Sequence, residues 1–454
     1  MMKNTLFFLT LIAPVFFFVP VQAGERESDL EPMTLTLDEV LTLGLKNRSA
    51  LVLAEKNLEF IQSQYRLAQG NFFPDVTLTA SYTRHFRKDI GFANGRKLEM
   101  GDEHGASVGA DVEQPLYSGG RLTATKKSAR WKVSFGEENS RSEKDETIFA
   151  LQRLYYMVLL ASATVSIQKD SLLSAEEHLQ TIQDRYEQGL DSDLTLMNQE
   201  VEVALARPGY SQARYLLESA LTSLKEVLKM DVDRPLTLVG ALDFIEKKSC
   251  PDYNTTVRLA LERNPDLLAA RYKTQSAGFD VVSAQGDEKP QLSLFGKALW
   301  QTESPDLSPT ADQRGSSLSA GLRMRYRVFT GRETSERVHQ ARIAYEIAQE
   351  NEDVLKRSVH ATVKSEWQSV QEALERVQSQ EAALAQAEKA LESTEKRFQA
   401  GQTGQLDLSD ATLSVKRVRM VRTQALADFW IHQAALEKTV GTSLSPVSKP
   451  AEHF

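Results

Sequence analysis

The sequence predicts a mixed, mainly α-helical fold built from two copies of one unit, each with a long helical hairpin and two β-strands. Three observations lead there. The phrase RYEQGLDSDL, starting at Arg185, returns at Arg397 as RFQAGQTGQL. Residues 120–188 and 332–400 are almost free of glycine and proline, so each can form one continuous helix. Four other segments alternate apolar and polar residues with the period of two that gives a strand unlike faces.

Bulk properties narrow the class. At 454 residues the chain has room for two or three ordinary domains, so a duplication fits. An apolar content of 41% and a mean hydropathy of −0.36 exclude a polytopic helical membrane protein. A net charge of −8 argues against nucleic acid as a partner, since such proteins carry a basic stripe. The first residues are of a different kind. Lys3 precedes an apolar run from Leu6 to Val19, and Val21-Gln22-Ala23 precede Gly24, the pattern of a cleaved signal peptide spanning residues 1–23. The run is too short for a membrane anchor and contains Pro14. No cysteine stands at the junction, and the single cysteine, Cys250, leaves no intramolecular disulfide.

Held at the offset that relates Arg185 to Arg397, the correspondence extends in both directions. Gly109 falls on Gly321, Tyr117 on Phe329, Gly119 on Gly331, Gly189 on Gly401 and Leu224 on Leu436. Further upstream the offset grows by four residues, and Leu43, Leu45, Leu51 and Ala54 fall on Leu259, Leu261, Leu267 and Ala270. The change lies in a loop, where length differences are tolerated. The first copy occupies residues 24–240, a linker 241–250, the second copy 251–441 and a tail 442–454. A period this long is a duplicated domain rather than a solenoid.

The elements of each copy follow. Strands are expected at about 74–86 and 105–117 in the first copy and at about 290–301 and 316–329 in the second. A polar loop (87–104) joins the first pair. The strands' polar faces carry charge: Asp111 and Glu113 in one copy, Arg323, Arg325 and Arg327 in the other. Long amphipathic strands with charged inner faces suit the wall of a water-filled pore, where a lumen position is favoured over a rim position for the arginines. Two hairpins cannot close a barrel alone. Long helices at about 120–188 and 332–400 would each extend roughly 100 Å. Near their ends Leu172, Ala175, Leu179, Ile182 and Tyr186 make the 3,4 spacing of a coiled-coil seam, as do Leu384, Ala387, Leu391, Thr394 and Phe398. Gly189 and Gly401 stop these helices, and return helices are expected at about 193–229 and 405–440. The repeated phrase is therefore the turn at the far tip of each hairpin. Within the first return helix Pro208-Gly209, facing Met420-Val421 in the other copy, predicts a bend.

With these features in place, the chain resembles the TolC-type outer membrane efflux family. The tips of the form R-Y/F-x-x-G-x-x-x-x-L carry the likeness, with the strand-to-helix junctions PLYSGGR (Pro115, Gly119, Gly120) and VFTGRE (Gly331). The resemblance implies a homotrimer in the outer membrane of a Gram-negative bacterium. Four strands from each protomer would form a 12-stranded transmembrane β-barrel, and the helices a periplasmic α-barrel. It implies a passive exit duct, served by an inner-membrane pump of the RND or ABC type through a periplasmic adaptor. The adaptor would contact the tips: Arg185, Tyr186, Gly189, Leu190 and Leu194, with Arg397, Phe398, Gly401 and Leu406. It also implies that Asp407 and Asp410 narrow the periplasmic entrance; at i and i+3 they share a helix face. Thr403 stands where the family usually has a basic residue, so an ion pair locking that gate is not expected.

Other chemistries find little support. The seven histidines show no ligand spacing, so no metal site is expected. GGRLTATKKS lacks the glycine a phosphate loop needs before its lysine, and no G-x-S-x-G occurs. No enzyme activity and no cofactor are expected. Two classes remain open from the residues alone: an export duct, for small molecules or by type I protein secretion, and a secreted coiled-coil scaffold or filament subunit. The four amphipathic strands favour the duct.

Overall fold

Left-handed backbone residues set where the long helices begin and end. The computed structural model describes residues 33–86, 89–93, 96–100, 102–242, 252–304 and 314–444. The first copy runs β1 (Met33–Leu35), α1 (Leu37–Asn47), α2 (Ser49–Gly70), β2 (Asp75–Arg84), β3 (Asp89–Ala93), β4 (Arg96–Met100), β5 (His104–Tyr117), α3 (Arg121–Glu187), α4 (Asp193–Leu228) and β6 (Leu236–Leu238). The second runs α5 (Tyr253–Arg263), α6 (Pro265–Gly286), β7 (Gln291–Ser304), β8 (Arg314–Arg325), α7 (Glu333–Gln399) and α8 (Gln405–Val440). The expected signal peptide, most of the linker and most of the tail lie outside the described residues. The two copies agree helix for helix: α3 and α7 have 67 residues each, and α4 and α8 have 36 each. Each long helix is entered through a residue of positive φ, Gly120 (φ 90°) or Arg332 (φ 71°), and followed by another, Gly189 (φ 73°) or Gly401 (φ 69°). A left-handed residue turns the chain out of helical register, so both ends are fixed locally.

The sheet is antiparallel in the order β2-β5-β7-β8. Its register places Leu78, Ala110, Ala298 and Leu318 in one row across all four strands, and Thr77, Asp111, Lys297 and Ser319 in the next. Neighbouring rows point to opposite faces, so one side is apolar and the other polar. Leu78 and Leu318 are 77% and 85% exposed, an apolar face left uncovered by the other described residues.

Three details differ from the sequence expectation. The last strand ends at Arg325, so Tyr326, Arg327, Val328 and Phe329 lie beyond it. The loop between the first two strands carries the short hairpin β3–β4, paired from Asp89↔Met100. Strands β1 and β6 pair in parallel and tie the two ends of the first copy together. Their three-residue length gives periodicity nothing to measure. Pro208, where a bend is expected, lies within the span of α4. The residue's missing amide leaves one carbonyl without its helical donor.

The core sits at the waist, where short helices close on the long ones. In the first copy Val40, Leu151, Tyr155, Val158, Leu224 and Leu228 are buried together. In the second, Val359, Val363, Val370, Phe429, Leu436 and Val440 do the same work. Each such side chain contributes about 1.5–3 kcal/mol. Tyr156 stacks on Trp430 with ring centroids 5.8 Å apart, joining the two cores. α1 is anchored by a capping box in which Thr36 and Glu39 satisfy each other's backbone amides.

Candidate functional site

Both hairpin tips are built by the same backbone device. In the first, the Leu190 amide donates to the Arg185 carbonyl (2.8 Å) and the Gly189 amide to Tyr186 (2.9 Å). In the second, Gln402 donates to Arg397 (2.8 Å) and Gly401 to Phe398 (3.0 Å). These closing bonds across a left-handed glycine satisfy carbonyls that the helix end leaves open. Their side chains then part company. Arg185 Nε lies 2.7 Å from Asp191 Oδ2, and its guanidinium sits 5.5 Å over the Phe398 ring, linking one tip to the other. Ser192 caps α4 by accepting from the Thr195 amide (3.2 Å). The second tip has Gly404 at the cap position of α8 and no side-chain cap. Thr403, which corresponds to Asp191, donates its hydroxyl to Asp407 Oδ2 instead. Asp407 and Asp410 are both exposed in the first turns of α8, while Leu408 between them is buried. Neither aspartate has a cation partner among the described residues. The tips also present Leu190, Leu194 and Leu406 to solvent.

Behind the aspartates, polar residues link α8 to the first hairpin. Buried Gln199 donates to the Ala175 carbonyl (2.9 Å), and Gln405 donates in turn to Gln199 Oε1. The Ser409 hydroxyl donates to Glu202 Oε1 (2.6 Å). These groups edge a cavity of about 190 Å³ that also meets His178 and Lys416. Burial pushes the Lys416 ammonium below the usual lysine range, with nearby Glu202 opposing the shift. Of these residues, sequence reasoning singled out Ala175 alone, as part of the coiled-coil seam. The available signal was Gln199 itself, a polar residue four before buried Val203 on the inward stripe of α4.

On the polar face of the sheet, Asp111 and Glu113 of the first copy meet Lys297 and Arg323 of the second. Arg323 lies 3.6 Å from Glu113 and 4.6 Å over the Phe295 ring, and Lys297 lies 3.9 Å from Asp111. Arg325 pairs in register with Gln291 on the same face. Alternation in Phe295-Gly296-Lys297 was the signal that would have placed Lys297. At the strand-to-helix junctions, Pro115 marks a shift in register. Gly119 allows close approach, because any side chain there would meet the Gly286 carbonyl. Gly120 begins α3 at positive φ, and Gly331 precedes Arg332 at the start of α7. Among the described residues no cluster of His, Cys, Asp and Glu could hold a metal.

Comparison with known proteins matches this architecture throughout. Residues 40–228 and 256–442 each match the family model described as outer membrane efflux protein, so the duplicated unit is the family's unit. Among curated relatives, the outer membrane efflux protein BepC of Brucella suis is 21% identical over 92% of this chain and 90% of its own. The outer membrane protein TolC of Vibrio cholerae is 23% identical, covering 83% of each. Among solved structures, the outer membrane protein VceC of Vibrio cholerae superposes with a TM-score of 0.76 at 18% identity, over 90% of this chain and 97% of that one.

Proposed function

The chain belongs to the outer membrane efflux protein family, a non-enzymatic exit duct of the outer membrane with its helical part in the periplasm, and on that premise we propose how it assembles and closes. Three copies join edge to edge, β8 of one against β2 of the next, into a closed twelve-stranded barrel. The observation that carries this is the four-stranded sheet whose outer strands, β2 and β8, have no second partner strand among the described residues. An open edge with an uncovered apolar face is not stable in a bilayer, where every backbone amide and carbonyl needs a partner. Asp111, Glu113, Lys297, Arg323 and Arg325 then line a water-filled lumen. The exposed leucines of the tips, with Tyr186 and Arg397, receive a periplasmic adaptor. An inner-membrane pump supplies the cargo and its selectivity.

At the other end, threefold symmetry turns Asp407 and Asp410 into two acidic rings that narrow the entrance. Carboxylates about 6 Å apart repel by roughly 3 kcal/mol at an effective dielectric near 20. Closure therefore needs cations or hydrogen-bond donors, and the Thr403 hydroxyl supplies one to each Asp407. Such rings favour cations and are blocked by divalent ions. The test combines native mass in detergent with single-channel conductance in planar bilayers. A trimer with divalent block from the helical side is expected. A monomer would sink the assembly, and block unchanged in Asp407→Asn/Asp410→Asn would sink the gate.

A further inference from the structure

The chain is acidic, with a net charge of −8, yet one of its cavities is basic. It measures about 220 Å³ and lies where the sheet meets the start of α3. Arg121 of α3 lines it with Arg323 and Arg325 of β8, and Glu113 is the one carboxylate among the described residues around it. Arg325 pairs with Gln291 and Arg323 with Ser293, so these strand residues alternate onto the polar face. The cavity therefore lies on the side opposite the apolar face.

Its three guanidiniums are held differently. Asp287 approaches Arg121 Nε to 3.3 Å, yet that buried N–H makes no hydrogen bond. Arg323 lies over Phe295 and 3.6 Å from Glu113. Arg325 has neither an ion pair nor a ring partner among the described residues. Beside them, the Ser118 hydroxyl accepts from the Leu122 amide (3.2 Å), which leaves its own O–H to donate. Three guanidiniums and a hydroxyl against two carboxylates leave a surplus of donors over acceptors. Duplication does not account for the set. Arg121, Arg323 and Arg325 correspond to Glu333, Asp111 and Glu113, so every sign is reversed in the other copy.

We infer that this cavity binds a dissolved oxyanion, the carboxylate or phosphate group of a small solute. Arginine's planar fork meets such a group with two N–H donors at once, and the Arg325 guanidinium is free to supply them. Arg323 and Ser118 line the same cavity and add a second guanidinium and a hydroxyl. A lipid headgroup is the poorer fit, because the cavity lies opposite the apolar face of the sheet. The inference rests on the duct reading for its setting, since that reading puts the polar face on the lumen. It adds a station for anions beyond an entrance whose proposed acidic rings favour cations.

Citrate and inorganic phosphate are the probes. Titration calorimetry of the purified chain in neutral detergent, at low ionic strength where charges are least screened, is expected to show saturable binding of one citrate per chain, with phosphate competing. Arg325→Gln breaks no ion pair and is expected to weaken binding by about tenfold or more, the worth of one charge-assisted contact. Lys297→Gln removes the same charge from the same face outside the cavity and is expected to leave the affinity near that of the unaltered chain. In planar bilayers, citrate on the barrel side is expected to lower single-channel conductance, and Arg325→Gln to relieve the block. Absence of saturable binding, failure of phosphate to compete, or full affinity in Arg325→Gln overturns the site. Equal weakening by Lys297→Gln overturns it in favour of a diffuse field. Binding that Arg325→Gln weakens in a protein that forms no channel upholds the oxyanion site and overturns the duct reading.

Discussion

The two hairpin tips share length, turn and backbone hydrogen bonds, yet the first is tied down by an ion pair and a side-chain cap that the second lacks. The first has the Arg185–Asp191 ion pair and the Ser192 cap. In the second, Thr403 takes the place of Asp191, so Arg397 has no matching carboxylate, and Gly404 takes the place of Ser192. The acid has moved from the turn into the following helix, as Asp407 and Asp410. In the trimer proposed above, a closed ring of like charges would store repulsion at this second tip, which has fewer local ties. Duplication supplied a common frame, and divergence gave the two tips different side-chain ties.

The strongest way to break this comparison lies far from the tips, where the copies should behave alike. Leu78 and Leu318 occupy the same row of the sheet, one from each copy. Leu78→Arg and Leu318→Arg should each cost about 2–4 kcal/mol of membrane-inserted stability, seen as lowered urea resistance in lipid vesicles. Arg323→Leu on the polar face should insert normally. A tolerated arginine in either copy would mean that its strand does not face lipid. Gly119 and Gly331, which correspond, should differ in what an added methyl costs. Gly119→Ala forces the backbone from Gly286 and strains a left-handed residue, costing roughly 1–3 kcal/mol. Gly331→Ala meets no atom within 4 Å among the described residues, so it should cost only the strain of positive φ.

At the tips, Asp191→Asn should weaken the fixed turn by about 1 kcal/mol, since Arg185 and Asp191 are half-buried. Faster proteolysis at residues 188–192 would register the change, with conductance unaltered. Asp407→Asn should do the reverse, changing conductance and leaving proteolysis as it was. The smallest effect concerns entry to the long helices. Arg332 holds a left-handed conformation that Gly120 adopts freely in the first copy. Arg332→Gly should therefore stabilise the chain by up to about 1 kcal/mol in denaturant titration.

The duplication was legible to the residue because glycines fix helix ends and their positions survive in both copies. α3 and α7 begin and end at corresponding residues, as the matched tips and junctions require. Asp111, Glu113 and Arg323 were legible because strand alternation alone decides which face a residue joins. The chain's three-residue strands were not, since their pairing is set by contact between distant segments. The links behind the aspartates were not legible either. Gln199 and Gln405 meet only because α4 and α8 lie side by side, which no local pattern states. The end of the last strand at Arg325 was overestimated because Tyr326 and Val328 keep the alternation beyond the point where β7 has residues left to pair.

The equality of α3 and α7 at 67 residues, and of α4 and α8 at 36, works as a ruler cut twice to the same mark. Removing one heptad from a single long helix would raise its tip by about 10 Å relative to its twin. A partner docking on all the tips would then find alternating high and low steps instead of a level rim. Length changes in one copy are therefore compatible with docking only when the other copy changes in step, whatever either does to the stability of the chain.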